Sequence, residues 1–390
     1  MESDELRELL SIDGLNLLDS LPTFDSSTDV VASVARLRKL GHSPGLVAAV
    51  LTQSRLRARA AAKFGPFAQR MLFTEHGLEQ ATRLRVAALH AGRYRDAGFT
   101  SVVDLGSGIG ADSLAMAAID LHVTAVELDE VTAAIAAYNL APWPNATVVN
   151  SAAEQVDLDS FDAVWLDPAR RSGDRRLSNP ADWTPSLDFA FGTGKPTGVK
   201  LGPGIDRDLI PEGWEAQWVS VQGDVVEVAV WSPQLARPGI GRAALVLTGD
   251  SMAEISAEGD SVDETVGELG EYVLEPDGSV IRARLIGDLA RQLGARMLHP
   301  QIAYLSTDEA VVSPFATCFR VVDTFSLDER TLKRELRERG IGTIEIKKRG
   351  VDIDPAAFRK KLNPSGPESA TLILTRLGEK RIAILAQRVV

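Results

Sequence analysis

Cysteine is nearly absent from this 390-residue sequence, which contains one, Cys318. One cysteine can form neither an internal disulfide nor an iron–sulfur cluster, so we expect a buried residue in a reducing compartment. The five histidines lack the spacing of metal ligands, and we expect them at the surface or at helix ends. No apolar run reaches the roughly 18 residues of a membrane helix, and the acidic start does not resemble a signal peptide. These absences predict a cytoplasmic protein with no metal and no membrane partner.

Positive charge is also scarce, since 42 Lys and Arg stand against 54 Asp and Glu, a net charge of −12. This balance argues against a surface that is basic throughout, and we predict no DNA partner. The charge is uneven, however, because residues 320–390 carry 16 basic and 10 acidic side chains, an excess of 16 − 10 = 6. Such asymmetry permits a basic C-terminal module, with RNA as its candidate partner, on an acidic body.

Four regions differ in their hydrophobic pattern, which predicts more than one domain for a chain of this length. Residues 1–98 have helical spacing, whereas apolar runs alternate with helical stretches over 99–235, as in a Rossmann-like, largely parallel α/β sheet. Seven strands are expected there, ending in an antiparallel hairpin, at 101–105, 122–127, 146–150, 162–167, 197–201, 216–221 and 225–231.

An α+β region over 236–318 is expected to connect this domain to a smaller α+β module over 319–390. The connecting region should contain a strand at 243–248 and a helix from about residue 281 to 293. In the module, Ser326-Leu-Asp-Glu329 has the pattern of a capping box, and Gly340 should end that helix. A strand at 343–348, a helix opened by Asp354-Pro355 and a hairpin of 370–376 with 381–388 should follow.

The end of the first predicted strand carries the sequence Asp104-Leu-Gly106-Ser107-Gly108-Ile-Gly110. Glycines there permit a sharp turn and let a ligand approach the backbone, and the next helix offers its free N–H groups to that ligand. The spacing also matches a dinucleotide fingerprint, so a nicotinamide dehydrogenase is one alternative, and a turn without a ligand is another. The carboxylate of Asp104 favours a ligand with an ammonium group, because it would repel a pyrophosphate.

At these residues the sequence resembles the class I S-adenosylmethionine-dependent methyltransferases. The resemblance implies that S-adenosyl-L-methionine is the cofactor and that Glu127, at the end of the second strand, binds its ribose. Many members have Asp where Ser151 stands, so the adenine contact is weaker here. The other cofactor-binding residues implied by the resemblance are Asp104, Gly106, Ser107, Gly108, Gly110, Asp112, Leu128, Ser151, Ala152 and Ala153.

The fourth predicted strand ends in Asp167-Pro168-Ala169-Arg170, where amino methyltransferases have [DN]-P-P-[YFW]. The resemblance implies that Asp167 orients the acceptor and accepts its proton, with Pro168 and Arg170 beside it. Ala169 and Arg170 depart from the family pattern, so the stacking aromatic residue is missing, and a solvated loop is the alternative. Methylation at carbon 5 of a pyrimidine is not expected, because Cys318 lies far from this segment.

The segments on either side of this domain resemble a bacterial methyltransferase group that carries a C-terminal THUMP-like domain. In the segment before the first strand, the resemblance implies that Gln80 and Thr82 cover the methyl donor. It also implies that the basic tail holds RNA, which makes methylation of a nitrogen in a structured RNA (tRNA or rRNA) the leading hypothesis. The alternatives are a protein or small-metabolite acceptor, and a protein that binds the cofactor without catalysis.

Overall fold

The computed structural model describes residues 3–21, 27–169, 171–172, 175–176 and 182–389. The helices begin where the sequence supplies caps; the Ser43 hydroxyl, for example, accepts a hydrogen bond from the Leu46 amide, just before Pro44. The helices are α1 (Ser3–Leu9), α2 (Ile12–Ser20), α3 (Ser27–Lys39), α4 (Pro44–Phe64), α5 (Glu75–Gln80), α6 (Leu84–Asp96), α7 (Ala111–Ala117), α8 (Glu130–Leu140), α9 (Leu187–Phe191), α10 (Gly278–Arg282), α11 (Ile286–Leu293), α12 (Glu329–Glu338) and α13 (Pro355–Leu362).

The strands form two large sheets and one short two-stranded ribbon. They are β1 (Ser101–Leu105), β2 (His122–Glu127), β3 (Ala146–Asn150), β4 (Ala163–Leu166), β5 (Arg171–Ser172), β6 (Arg175–Arg176), β7 (Thr197–Leu201), β8 (Glu215–Val221), β9 (Asp224–Trp231), β10 (Arg242–Thr248), β11 (Ser251–Ala257), β12 (Tyr272–Pro276), β13 (Arg296–His299), β14 (Ile302–Thr307), β15 (Ala316–Ser326), β16 (Ile341–Lys348), β17 (Glu368–Leu377) and β18 (Lys380–Arg388).

The first sheet has nine strands in the order β11-β10-β8-β9-β7-β4-β1-β2-β3, which corrects the expected number of seven. The seven predicted strands are present, and β1, β2, β3, β4 and β7 pair in parallel as expected. A two-residue connection makes β8 and β9 antiparallel neighbours. Beyond them, β10 pairs in parallel with β8, and β11 pairs antiparallel with β10. The strand β11 was not predicted, because its sequence contains no run of apolar residues.

By compactness the chain divides into two units, Met1–Lys200 with Trp231–Leu235, and Leu201–Val230 with Ala236–Val390. The first unit contains the predicted N-terminal helices, α1 to α6, followed by the parallel strands. Its apolar core joins residues of α4 such as Val50 and Leu56 to Ile135 of α8. This packing fixes the carboxyl ends of the parallel strands, where ligands bind in sheets of this kind.

The second unit contains a seven-stranded sheet in the order β13-β14-β12-β15-β18-β17-β16. The helices α12 and α13 pack on one face of it, with Leu332, Leu336 and Leu362 buried in the same core as Leu372. The predicted hairpin of β17 and β18 is confirmed. The side chain of Asp354 caps α13 as expected, accepting a hydrogen bond from the third helical amide.

Two predictions about helices in the second unit were wrong in detail. The helix expected over residues 281–293 is two helices, α10 and α11, because Arg284 between them has a positive φ of 61°. The cap of α12 is Asp328 instead of Ser326, since Ser326 still belongs to β15 and the Asp328 carboxylate accepts a hydrogen bond from Thr331 N. Cys318, on β15, is buried as expected.

Candidate active site

The turn after β1 depends on three glycines with left-handed backbone angles. Gly106, Gly108 and Gly110 have φ values of 81°, 55° and 84°, which side chains disfavour. A Cβ on Gly106 would lie 3.0 Å from the carbonyl oxygen of Asp167, whereas one on Gly108 would meet no protein atom within 4 Å. The first glycine therefore allows β1 and the end of β4 to approach, and the second leaves open space above the turn.

Asp104 places a buried carboxyl group beneath this turn. It is 1% exposed and accepts a hydrogen bond from the hydroxyl of Ser113, in α7. Burial, and then the negative charge of Asp112, raise the pKa of Asp104 to about 8. A cation at this position would relieve the cost of ionising the carboxyl group, which is the electrostatic requirement of a site for an ammonium group.

Glu127, at the end of β2, faces the same turn. Its Oε2 accepts a hydrogen bond from Gly108 N at 3.0 Å, and its Oε1 accepts one from Asp129 N at 2.9 Å. Burial raises its pKa in spite of these bonds. A carboxylate oxygen can accept more than one hydrogen bond, so this geometry leaves acceptor capacity for hydroxyl groups of a ligand.

The residues that follow β2 and β3 form an edge next to Glu127. Ser151 N donates to the Glu127 carbonyl at 3.2 Å, and the Asn150 side chain donates to the carbonyls of Glu127 and Leu128. These bonds leave the side chain of Leu128 59% exposed. Ala152 and Ala153 continue the chain from there, with Ala153 buried.

Ser107 gives a local test of whether a ligand belongs in this turn. Its hydroxyl oxygen is buried and has no hydrogen-bond partner in the described part of the chain. A buried hydroxyl without a partner is costly, so a ligand that bonds to it would stabilise the turn. Together with the open space at Gly108 and the carboxyl group of Asp104, it fits the polar methionine end of S-adenosylmethionine.

Asp167 follows β4 and is held from two sides. Its amide donates to the carbonyl of Leu105 at 3.2 Å, and Nζ of Lys200 lies 2.5 Å from its Oδ2. Pro168 is buried, and Ala169 exchanges backbone hydrogen bonds of 2.8 and 3.2 Å with Thr184. The predicted catalytic residue Arg170 lies outside the described residues.

Asp112 and Thr82 belong to a buried network that was not foreseen from the sequence. The Thr82 hydroxyl donates to Asp112 Oδ2 at 2.6 Å, and His90 Nδ1 donates to Asp112 Oδ1 at 2.8 Å. Burial alone would raise the pKa of Asp112, but the hydrogen bond and charge of His90 outweigh it and lower this pKa. The prediction that the histidines lie at the surface or cap helices was wrong for His90, which is 2% exposed. Its ring packs against Trp165, with the two ring centroids 4.4 Å apart.

Lys200 is the site residue that sequence reasoning missed. Besides Asp167, its ammonium donates to Thr82 Oγ1 at 3.0 Å and to the carbonyl of Gln80 at 3.3 Å. The signal that could have found it is its place on the strand Thr197–Leu201, next to β4 in a parallel sheet. Because the carboxyl ends of neighbouring parallel strands meet at one edge, Lys200 and Asp167 must be close.

Comparisons with known proteins show the family of this chain. Two proteins of Mycobacterium tuberculosis, from strains CDC 1551 and H37Rv, are described as uncharacterized S-adenosylmethionine-dependent methyltransferases. Each is 34% identical to this chain over 354 residues, which are 88% of this chain and 95% of the relative. This chain belongs to the same family of S-adenosylmethionine-dependent methyltransferases. It is therefore an enzyme whose cofactor is S-adenosylmethionine.

Further comparisons concern the fold and the ends of the chain. A crystal structure of a candidate methyltransferase from Porphyromonas gingivalis W83 matches with a TM-score of 0.70 and 21% identity, covering 95% of this chain and all of that one. A THUMP domain-like family model matches residues 316–388, and a model of a domain of unknown function matches residues 2–60. The predicted family, with its C-terminal THUMP-like domain, is confirmed.

Neither a metal site nor a membrane-spanning helix is found among the described residues. Among them, no group of three or more His, Cys, Asp or Glu side chains is arranged to hold a metal ion. None of the helices in the described ranges has the length and apolar character that crossing a bilayer requires.

Proposed function

We propose that this methyltransferase transfers the methyl group to a nitrogen atom of a structured RNA, such as a tRNA or an rRNA. The observation that carries the choice of a nitrogen is the position of Asp167-Pro168. Asp167 follows β4, and its carbonyl oxygen lies so close to Gly106 that a Cβ there would be 3.0 Å away. A carboxylate beside the donor turn, together with the carbonyl of the next residue, Pro168, is suited to accept N–H hydrogen bonds from an acceptor amine.

The residues around the glycine turn have separate roles in this proposal. Asp104 binds the α-ammonium group of the cofactor, Glu127 accepts bonds from the ribose hydroxyls, and Ser151 accepts one from the adenine. When bound, S-adenosylmethionine supplies an electrophilic methyl group on a sulfonium. Asp167 and the carbonyl of Pro168 orient the acceptor nitrogen so that its lone pair points along the sulfur–methyl axis, and Asp167 takes up the proton released. Other proposed cofactor contacts are Gly106, Ser107, Gly108, Gly110, Asp112, Leu128, Ala152, Ala153, Gln80 and Thr82.

RNA is favoured as the acceptor by the C-terminal module, which we assign to residues 319–390. Several of its basic side chains are paired with carboxylates, as Lys333 is with Glu329 and Lys347 is with Glu275. In contrast, Arg359, Lys360 and Lys361 are exposed in the last turn of α13, and within the described ranges their side chains make no hydrogen bond and no ion pair, although the charge of Lys361 acts on Glu329. Three adjacent cations of this kind can bind the phosphates of an RNA backbone.

The acceptor class is tested by methyl transfer from radiolabelled S-adenosylmethionine to an extract divided into RNA, protein and small molecules. The extract comes from cells that lack the enzyme, so that its sites are unmethylated. We expect label in the RNA fraction, lost with Asp167→Ala and retained with Asp159→Ala, which removes a carboxylate that is 96% exposed. Label confined to protein or small molecules would refute the RNA acceptor, and donor binding without any transfer would favour a non-catalytic protein.

RNA binding by the module is tested by replacing Arg359, Lys360 and Lys361 together with alanine. A matched control replaces Arg36, Arg38 and Lys39, the exposed cations in the last turn of α3, so that both variants lose three positive charges at a helix end. We expect only the first variant to bind RNA more weakly, with a salt dependence reduced by roughly three phosphate contacts. Equal binding by the two variants would contradict this role of α13.

A further inference from the structure

Lys200 joins two parts of the site that are far apart in sequence. In the parallel pairing of β4 and β7, Leu166 lies opposite Val199, so that Asp167 and Lys200 are the next residues on neighbouring strands. The Lys200 Nζ and the Asp167 Oδ2 are 2.5 Å apart, and the lysine side chain is 11% exposed. The Asp167 side chain is 33% exposed, so this pair is more buried than a surface pair and is screened less by water.

Three oxygen atoms lie around the Lys200 ammonium. An ammonium has three donors and no acceptor. One donor serves Asp167, a second the hydroxyl of Thr82, and a third the carbonyl of Gln80. Three oxygen acceptors around one nitrogen suit an ammonium group, which has no lone pair with which to act as a general base.

The contact with Thr82 connects the ion pair to the buried part of the network. The Thr82 hydroxyl accepts from Lys200 and donates to Asp112, whose other oxygen is bonded to His90. Thr82, Asp112 and His90 are each at most 6% exposed. Because these residues are fixed by packing as well as by hydrogen bonds, they give Lys200 a rigid anchor.

We propose that Lys200 is a positioning residue for methyl transfer, which fixes the carboxylate of Asp167 and ties it to the segment 80–82. The proposal rests on the acceptor-binding role of Asp167 proposed above. The lysine orients the carboxylate that receives the acceptor, and it favours the ionised form that can take up the acceptor's proton. Lys200 does not touch the acceptor in this role, so that its effect on the acceptor passes through Asp167.

Lys63 provides a matched control in the same place. Its Nζ donates to the carbonyls of Leu78, Glu79 and Ala81, each at 2.8 Å, so it holds the same part of the chain with three bonds, where Lys200 makes two. Burial, and then the nearby cation Arg83, lower the pKa of Lys63 to about 8. Lys63 has no ion pair with Asp167, and replacing it loosens the segment without removing the cation from the carboxylate.

Methyl transfer by Lys200→Met and Lys63→Met distinguishes positioning from simple anchoring. Lys200→Met should lower kcat on the order of 100-fold, as a misplaced catalytic group does. It should also move the acidic limb of the pH–rate profile up by roughly one pH unit, because the carboxylate loses its cation. Lys63→Met should leave that limb unchanged, and Lys200→Arg should restore its position in part. An unshifted limb in Lys200→Met would overturn the proposal.

A double-mutant cycle tests whether Lys200 acts through Asp167. With Asp167→Asn already present, Lys200→Met should cost less than about threefold in kcat, since the group it positions has been removed. The full loss in both backgrounds would show an independent role and would refute the proposal. Calorimetric titration with S-adenosylhomocysteine checks that both variants still bind the cofactor product, so that a loss of turnover is not a loss of the donor site.

Hydrogen exchange tests the same link without any acceptor. Lys200→Met should speed amide exchange both in residues 78–82 and in residues 166–169, whereas Lys63→Met should do so only in residues 78–82. Unchanged exchange in residues 166–169 of Lys200→Met would overturn the proposal, whatever the acceptor. If instead the exchange result holds and the label enters protein or a small molecule, the positioning role stands and the RNA acceptor fails.

Discussion

Asp104 should release a proton when the cofactor binds. In the free protein its pKa is raised to about 8, chiefly by burial, so it is mostly uncharged at pH 7. The α-ammonium group of S-adenosylmethionine favours the carboxylate form instead. With a pKa of about 8, Asp104 carries a proton in about nine-tenths of the free molecules at pH 7. Binding of the cofactor should therefore release about nine-tenths of a proton per cofactor.

Calorimetry in buffers of different ionisation enthalpy measures this proton directly. The observed binding enthalpy at pH 7 should change with the buffer by about nine-tenths of the difference in ionisation enthalpy. The affinity should also increase roughly ninefold between pH 6 and pH 7, since binding competes with the proton on Asp104. Asp104→Asn should abolish the buffer dependence and weaken binding, whereas Asp96→Asn, at an exposed carboxylate, should change neither.

The same pKa predicts how stability depends on pH without the cofactor. The folded protein holds a proton on Asp104 up to about pH 8, while the unfolded chain releases it near pH 4, so folding binds a proton in this window. The free energy of unfolding should therefore fall from pH 5 to pH 8 more steeply in the native protein than in Asp104→Asn. Equal slopes, or a binding enthalpy that is independent of the buffer, would refute the reasoning on Asp104.

Three further predictions concern stability, measured by urea unfolding. Gly106→Ala and Gly98→Ala both introduce a side chain at a positive φ, at a cost of about 1 to 2 kcal/mol. Only Gly106→Ala should cost more and slow methyl transfer, because its Cβ meets a backbone carbonyl. Backbone hydrogen bonds lower the pKa of Asp162 to about 2. Its carboxylate should therefore stabilise the fold at pH 7, and this stabilisation should be lost between pH 4 and pH 2. The variant Asp162→Asn, which has no such carboxylate, checks this pH dependence. Arg237→Met should cost about 3 kcal/mol by removing the guanidinium that pairs with the fully buried carboxylate of Glu215, and Arg296→Met, at a more exposed pair, less than about 1 kcal/mol. Equal losses of unfolding free energy in the two glycine variants would contradict the reasoning on Gly106. Equal losses in the two arginine variants would contradict the reasoning on Arg237.

Seven strands of the first sheet, including the edge strand β3, could be predicted from the sequence because each has a local apolar pattern between polar or glycine-containing turns. The other edge strand, β11, was not predicted, since Ser251–Ala257 contains no run of apolar residues. The cap of α12 was misplaced for a related reason. Both Ser326 and Asp328 are suitable capping residues, and only the extent of β15 decides between them.

The sequence by itself determined the chemistry at the ends of single strands. The glycine turn after Asp104 and the carboxylates of Glu127 and Asp167 are local features, because backbone angles and strand ends depend on neighbouring residues. Only the tertiary structure decided which distant side chains meet them. The order of the strands brings Lys200 to Asp167, and the packing of α6 on α7 buries His90 beside Asp112. Burial also sets the pKa of Asp104, since desolvation depends on every element packed around a charge and cannot be read from a local pattern.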